Sequence, residues 1–164
     1  MARIFIAIRF DDEFKQKLVR LQNALKNRGV EGNYCPYGNL HMTLAFIGEK
    51  YDLPEIRKAV NEVAFEPFTI TLDNLGIFPT KAGVIWCGIK ELEQTTTLAD
   101  RLRDSLTAHG VLYNTQRFVP HISLVQHPSR IVTDIEVPKV SIRIERIYVM
   151  KSERINGELI YSEV

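Results

Sequence analysis

Cysteine is scarce in this sequence. It occurs twice in 164 residues, at Cys35 and Cys87, too rarely for a disulfide framework, and neither has a Cys or His neighbour at metal-ligand spacing. Both read as packing residues of a chain in a reducing compartment. Charge of one sign is also lacking: the formal net charge is +1, which argues against a broad basic field for long duplexes but leaves room for a small site neutralising one phosphate. No segment approaches the roughly 20 consecutive apolar residues needed to cross a bilayer. The apolar opening "MARIFIAIRF" is bracketed by Arg3 and Arg9 and followed by no small-residue cleavage site, so it reads as a first strand rather than a leader. Also missing are a G-x-x-x-x-G-K phosphate loop, an H-E-x-x-H zinc helix, a G-x-S-x-G nucleophile elbow and an acidic cluster for magnesium. Together these absences predict a soluble, cytoplasmic single domain over 1–164 and leave a metal-independent acid/base chemistry open; the expectation is a monomer with no metal and no cofactor.

What is present is a well-punctuated series of elements. "RIFIAIRF" predicts a strand, and Asp11 or Asp12 caps a helix whose apolar stripe is Phe14, Leu18, Leu21 and Leu25, stopped by Gly29. After a loop around "NYCPYGN" comes the strand "HMTLAFIG". Asp52 and Pro54 then open a second helix with Ile56, Val60 and Val63 on one face. "FTITL" and "VIWCGI" read as strands flanking the turn signal "TKAG". A third helix carries Leu98, Leu102 and Leu106 and stops at Gly110, and a further strand lies in 118–126. The tail predicts two strands joined at Asn156–Gly157, the favoured pair for a tight hairpin. This order favours an α+β fold of two mostly antiparallel sheets with helices outside.

Two strands carry the chemistry. "NLHMTLAFIGE" and "FVPHISLVQ" share the pattern His, apolar, hydroxyl, Leu, with His41 and Thr43 repeated at His121 and Ser123. Strand alternation puts each histidine and its hydroxyl on one face, about 7 Å apart, with Met42, Leu44 and Phe46, or Ile122 and Leu124, anchoring the other. A lone His-x-Thr is usually a half-buried packing pair. Two copies point instead to one cleft, in a bilobal, pseudo-twofold fold that sets the two motif strands side by side. Paired imidazoles supply a general acid and a general base near neutrality, and hydroxyls donate to anionic oxygens. That set suits in-line displacement at a phosphodiester. Of the other histidines, His109 reads as a helix C-terminal cap and His127 as a loop residue.

On these paired motifs the chain resembles the two-histidine phosphoesterases, and most closely the RNA 2′,3′-cyclic phosphodiesterases, also called 2′-5′ RNA ligases. The likeness extends to "RIFIAI", "LGIFP", "VIWCGI" and "LIYSEV". It implies metal-independent opening of an RNA terminal 2′,3′-cyclic phosphate to a 2′-phosphomonoester. His41 would be the proton donor, His121 the proton acceptor, and Thr43 and Ser123 the phosphate donors. Any 2′-5′ joining would be this reaction reversed, since the Lys-x-Asp-Gly of ATP-dependent ligases is absent. The partners implied are RNA ends or nucleotides bearing the cyclic phosphate. The chain departs from the family at Gln126, where a basic residue is common. Arg117 or Arg130 could compensate, and Tyr34 or Tyr37 could stack on a base. A small cyclic nucleotide or sugar phosphate as substrate, and a non-catalytic module binding nucleotides or RNA ends, are the alternatives.

Overall fold

The computed structural model describes residues 2–80 and 82–164. Strand β1 (Arg3–Arg9) buries the whole run Ile4–Ile8, with Ile4, Ile6 and Ile8 in the main core and Phe5 and Ala7 in a small cluster with Met150 under the partly exposed Tyr148 and Tyr161. The Asp11 carboxylate then accepts from the Phe14 amide and starts helix α1 (Asp12–Asn27), whose predicted stripe Phe14, Leu18, Leu21 and Leu25 is buried. Strands β2 (Asn33–Tyr34), β3 (His41–Gly48), β4 (Phe68–Phe78), β5 (Val84–Ile89), β6 (Ile122–Gln126), β7 (Ser141–Ile144), β8 (Tyr148–Ile155) and β9 (Glu158–Glu163) follow in order. Helices α2 (Leu53–Asn61) and α3 (Leu92–Ala108) are set among them, and a short 3-10 turn spans Tyr37–Asn39.

The strands form two antiparallel sheets, ordered β3-β1-β8-β9 and β2-β6-β5-β4-β7. Helices α2 and α3 pack on the first through β8 and β3, whereas α1 packs on the second through β6. Each helix preceding a motif strand thus covers the sheet that its own preceding strand does not belong to. The motif strands β3 and β6 approach one another without pairing. The expectation that they lie side by side is corrected: β3 is an edge strand of one sheet, and β6 sits between β2 and β5 in the other.

Four further sequence readings change. Part of the "NYCPYGN" loop is β2, because Asn33 and Tyr34 extend along β6. Strand β4 runs past "FTITL" to Phe78, with a bulge between Leu72 and Leu75 absorbing the polar Asp73–Asn74 pair. The second motif strand starts only at Ile122, after Pro120, which has no amide hydrogen to give a ladder. The tail holds three strands, not two: β7 joins β4 of the five-stranded sheet before the predicted hairpin β8–β9.

Strict alternation also fails, in the same way in both copies. Along β1, Ile6 faces Ala45 but Ala7 faces Thr43, so Leu44 is an extra residue. Along β5, Ile85 faces Val125 but Trp86 faces Ser123, so Leu124 is extra. Each motif strand therefore carries a β-bulge at the leucine after its hydroxyl residue. In each strand two neighbours, Leu44 with Ala45 and Leu124 with Val125, are buried together, and the parity of the side chain that follows them reverses. Phe46, expected among the anchors, is returned to the histidine face and is 39% exposed. Gln126 is returned to the histidine face in the same way.

Candidate active site

The two histidines are held by the same local device. His41 Nδ1 lies 2.7 Å from the Asn39 carbonyl, and His121 Nδ1 lies 2.7 Å from the Val119 carbonyl. A carbonyl only accepts, so each Nδ1 carries the hydrogen and each Nε2 of the neutral ring is left as the basic nitrogen. Thr43 Oγ1 is 2.8 Å from His41 Nε2. With Nδ1 already protonated, the hydroxyl must be the donor.

Aromatic rings wall both imidazoles. Phe5 and Tyr161 stand 5.0 and 5.2 Å from the His41 ring, while Phe78 and Trp86 stand 4.7 and 6.1 Å from that of His121. Such surroundings solvate a cation poorly. Burial pushes His41 down to about 4, opposed by the Asn39 carbonyl and aided by the nearby His121. Burial likewise holds His121 below 6.5, opposed by the Val119 carbonyl. Near neutrality both rings are therefore uncharged.

These flanking residues were not foreseen. Phe5, Phe78, Trp86 and Tyr161 come from strands far from the motifs in sequence, and only the sheet register brings them in. Asn39 was also missed. It is buried, its side-chain amide donates to the Leu159 carbonyl at 2.9 Å, and its own carbonyl fixes His41. Its place two residues before the histidine was the available signal.

The other predicted residues divide. Gln126, opposite Val84, shares the face of Ser123 and His121. Arg117 is exposed, in the segment leading to the second motif, where Arg103 ties the Gln116 carbonyl to that of Leu44. Tyr34 pairs with buried Val125, and its hydroxyl donates to the Val30 carbonyl, so it belongs to the α1 side of the sheet. Arg130 donates to the Arg28 carbonyl just beyond α1. Tyr37 is exposed, with its hydroxyl on Asp12 and the Lys15 ammonium over its ring. His109 caps α3 through its backbone, but its ring is bound to Glu55 and Glu62 of the α2 region at 3.2 and 2.8 Å, an ionic role that the capping expectation did not include. His127 is exposed, in a left-handed backbone conformation. Cys35 and Cys87 are free thiols, both pushed up by burial, to about 11 and about 12. Among the described residues, no three His, Cys, Asp or Glu side chains are grouped to hold a metal ion, and no helix is long and apolar enough to cross a membrane.

A duplicated histidine-and-hydroxyl strand, set where two antiparallel sheets approach each other, defines an α+β protein with two imidazoles held in the same way. Comparison with known proteins refines that class. The family described as the 2′-5′ RNA ligase superfamily matches residues 11–156. A Thermotoga maritima protein named RNA 2′,3′-cyclic phosphodiesterase is 28% identical over 92% of this chain and 86% of its own length. The Escherichia coli protein of the same name is 32% identical over 80% of this chain and 75% of its own length. The apo crystal structure of E. coli LigT superposes with a TM-score of 0.80 at 26% identity, covering 99% of this chain and 94% of that one. The chain belongs to the 2′-5′ RNA ligase superfamily.

Proposed function

We propose that this protein is an RNA 2′,3′-cyclic phosphodiesterase that opens the terminal cyclic phosphate to a 2′-phosphomonoester by acid/base catalysis between His121 and His41. The observation that supports this reading is the matched pair of imidazoles, each held at Nδ1 by an i−2 carbonyl so that Nε2 is left as the basic nitrogen, with the Thr43 hydroxyl on that of His41. His121 Nε2 takes a proton from water as the water oxygen attacks phosphorus. His41 gives a proton to the departing 3′ oxygen. Thr43 and Ser123 donate to the non-bridging oxygens.

The protonation states set the order of events. His41 is neutral in the free protein because burial opposes its charge. An anionic phosphate placed beside it favours the charged ring, so substrate and proton arrive together. Once Nε2 is protonated it can no longer accept from Thr43, and that hydroxyl is released to the phosphate. The resting His41–Thr43 bond is thus a stored donor that substrate redirects. The proposal takes RNA ends as the substrate, the cytoplasm as the compartment and a single chain as the active species.

The test is hydrolysis of an RNA oligonucleotide ending in a 2′,3′-cyclic phosphate. His41→Ala and His121→Ala should each lower turnover about 10²- to 10⁴-fold, with circular dichroism unchanged and with the parent activity persisting in chelator. Unchanged turnover in either variant would defeat the assignment.

A further inference from the structure

We propose that the face of the four-stranded sheet beyond His41 is a track for the RNA strand preceding the cyclic phosphate, with Tyr148 as a base-stacking platform and Arg9 and Arg146 as phosphate partners. The proposal rests on the cyclic-phosphodiesterase reading and adds to it the surface that would hold the nucleotides before the reacting end, which a free cyclic mononucleotide lacks. Arg9 is the register partner of His41, so their side chains leave the same face of adjacent strands. One strand further across, Tyr148 is the partner of Ala7 and shares that face. The Arg9 guanidinium lies 5.4 Å from the Tyr148 ring centre and that of Arg146 lies 4.3 Å from it. A surface therefore leads from the reacting end across β3, β1 and β8 without a break in the sheet.

Three properties of this surface suit a single strand. The face is not sealed: beneath the exposed arginines only Phe5, Ala7 and Met150 form a small buried cluster, against which Tyr148 and Tyr161 are packed but partly open. A groove of about 820 Å³ lies beside it, lined by Arg9, Phe10, Arg146 and Tyr148 among others. Finally, both arginines converge loosely on one Glu163 oxygen, at 4.0 and 3.6 Å. Charge-assisted hydrogen bonds are about 2.7 to 2.9 Å long, so Glu163 holds the two guanidinium groups in place without satisfying them. A phosphate oxygen can take its position.

The chemistry selects RNA that is already unpaired. Every base has a π face, so stacking on an aromatic side chain tolerates any sequence, and sheets that display aromatic residues are a common platform for single strands. Two phosphate contacts require no broad basic field, in keeping with a net charge of +1. A cyclic mononucleotide would fill the histidine cleft and leave Tyr148 and Arg146 untouched.

The experiment compares kcat/KM for a tetraribonucleotide ending in a 2′,3′-cyclic phosphate with that for a 2′,3′-cyclic mononucleotide, in the parent, Arg146→Ala and Tyr148→Leu. The parent should prefer the tetramer. Each substitution should lower the tetramer value about 5- to 100-fold, chiefly through KM, and leave the mononucleotide value unchanged. For Arg146→Ala the slope of log K against log salt should flatten by about 0.7 per lost phosphate contact. A parent that shows no preference, or variants that slow both substrates equally or neither, would overturn the track. If the parent hydrolyses neither substrate, the cyclic-phosphodiesterase reading fails. The track is then judged by fluorescence-anisotropy binding of the same tetramer, where weaker binding to Arg146→Ala supports it and equal binding rejects it.

Discussion

Asn39 acts on His41 from two directions. Its carbonyl fixes the ring tautomer, and its amide is anchored on β9, the strand that also supplies Tyr161 to the His41 wall. It is a positioning residue. Asn39→Leu removes the anchor without adding a charge, and the loss of one hydrogen bond should lower kcat about 3- to 10-fold with little change in KM. The His41 titration followed by NMR should move with it, and an unmoved titration with full kcat would refute the role. Gln126 is the complementary case, a position on the site face with no charge of its own. Gln126→Arg should reduce KM for cyclic phosphate about 5- to 10-fold, because a charge-assisted bond is roughly twice as strong as a neutral one; steady-state kinetics on the cyclic mononucleotide checks it. The shared pattern of His41 with Thr43 and His121 with Ser123 was legible from sequence because residue type and a spacing of two suffice to define it. Phe5, Phe78, Trp86, Tyr161 and Asn39 were not, since their relevance depends on register between distant strands.

At the scale of elements, most helices and strands followed from period, caps and turn residues. The exceptions were the two-residue β2, the continuation of β4 and the separate β7, each defined by a neighbouring strand rather than by its own composition. The paired bulges were invisible for a related reason: an extra residue shows only when the opposite strand is counted. Close approach of β4 and β5 has a consequence of its own. Gly76 lies opposite Trp86, and a Cβ there would come within 2.4 Å of the indole ring. Gly76→Ala should therefore displace Trp86 from His121. Because the chain has a single tryptophan, its emission spectrum reports the displacement directly, and kcat should fall with it. An unshifted spectrum would mean that the backbone, not the ring, had yielded.

For the molecule as a whole, the histidines set opposing pH limits on stability. His41 and His121 are held below 6.5. As pH falls through 6.5 the unfolded chain takes up protons that the folded chain refuses, and stability declines down to about 4, where His41 titrates. His109 is raised by its bonds to Glu62 and Glu55. Its contribution is complete below 6.5 and disappears as pH rises through the elevated value. The thermal midpoint should therefore peak between these limits. His109→Ala should remove the alkaline decline and His41→Ala should soften the acidic one; a calorimetric series across pH 4 to 9 tests both. The route of the chain adds a mechanical consequence. Four times it passes from one sheet to the other: through α1, directly from β2 into β3, through α2, and from β7 into β8. The sheets are stitched rather than hinged. A wider separation of the two motif strands would have to be absorbed by all four of these connections at once.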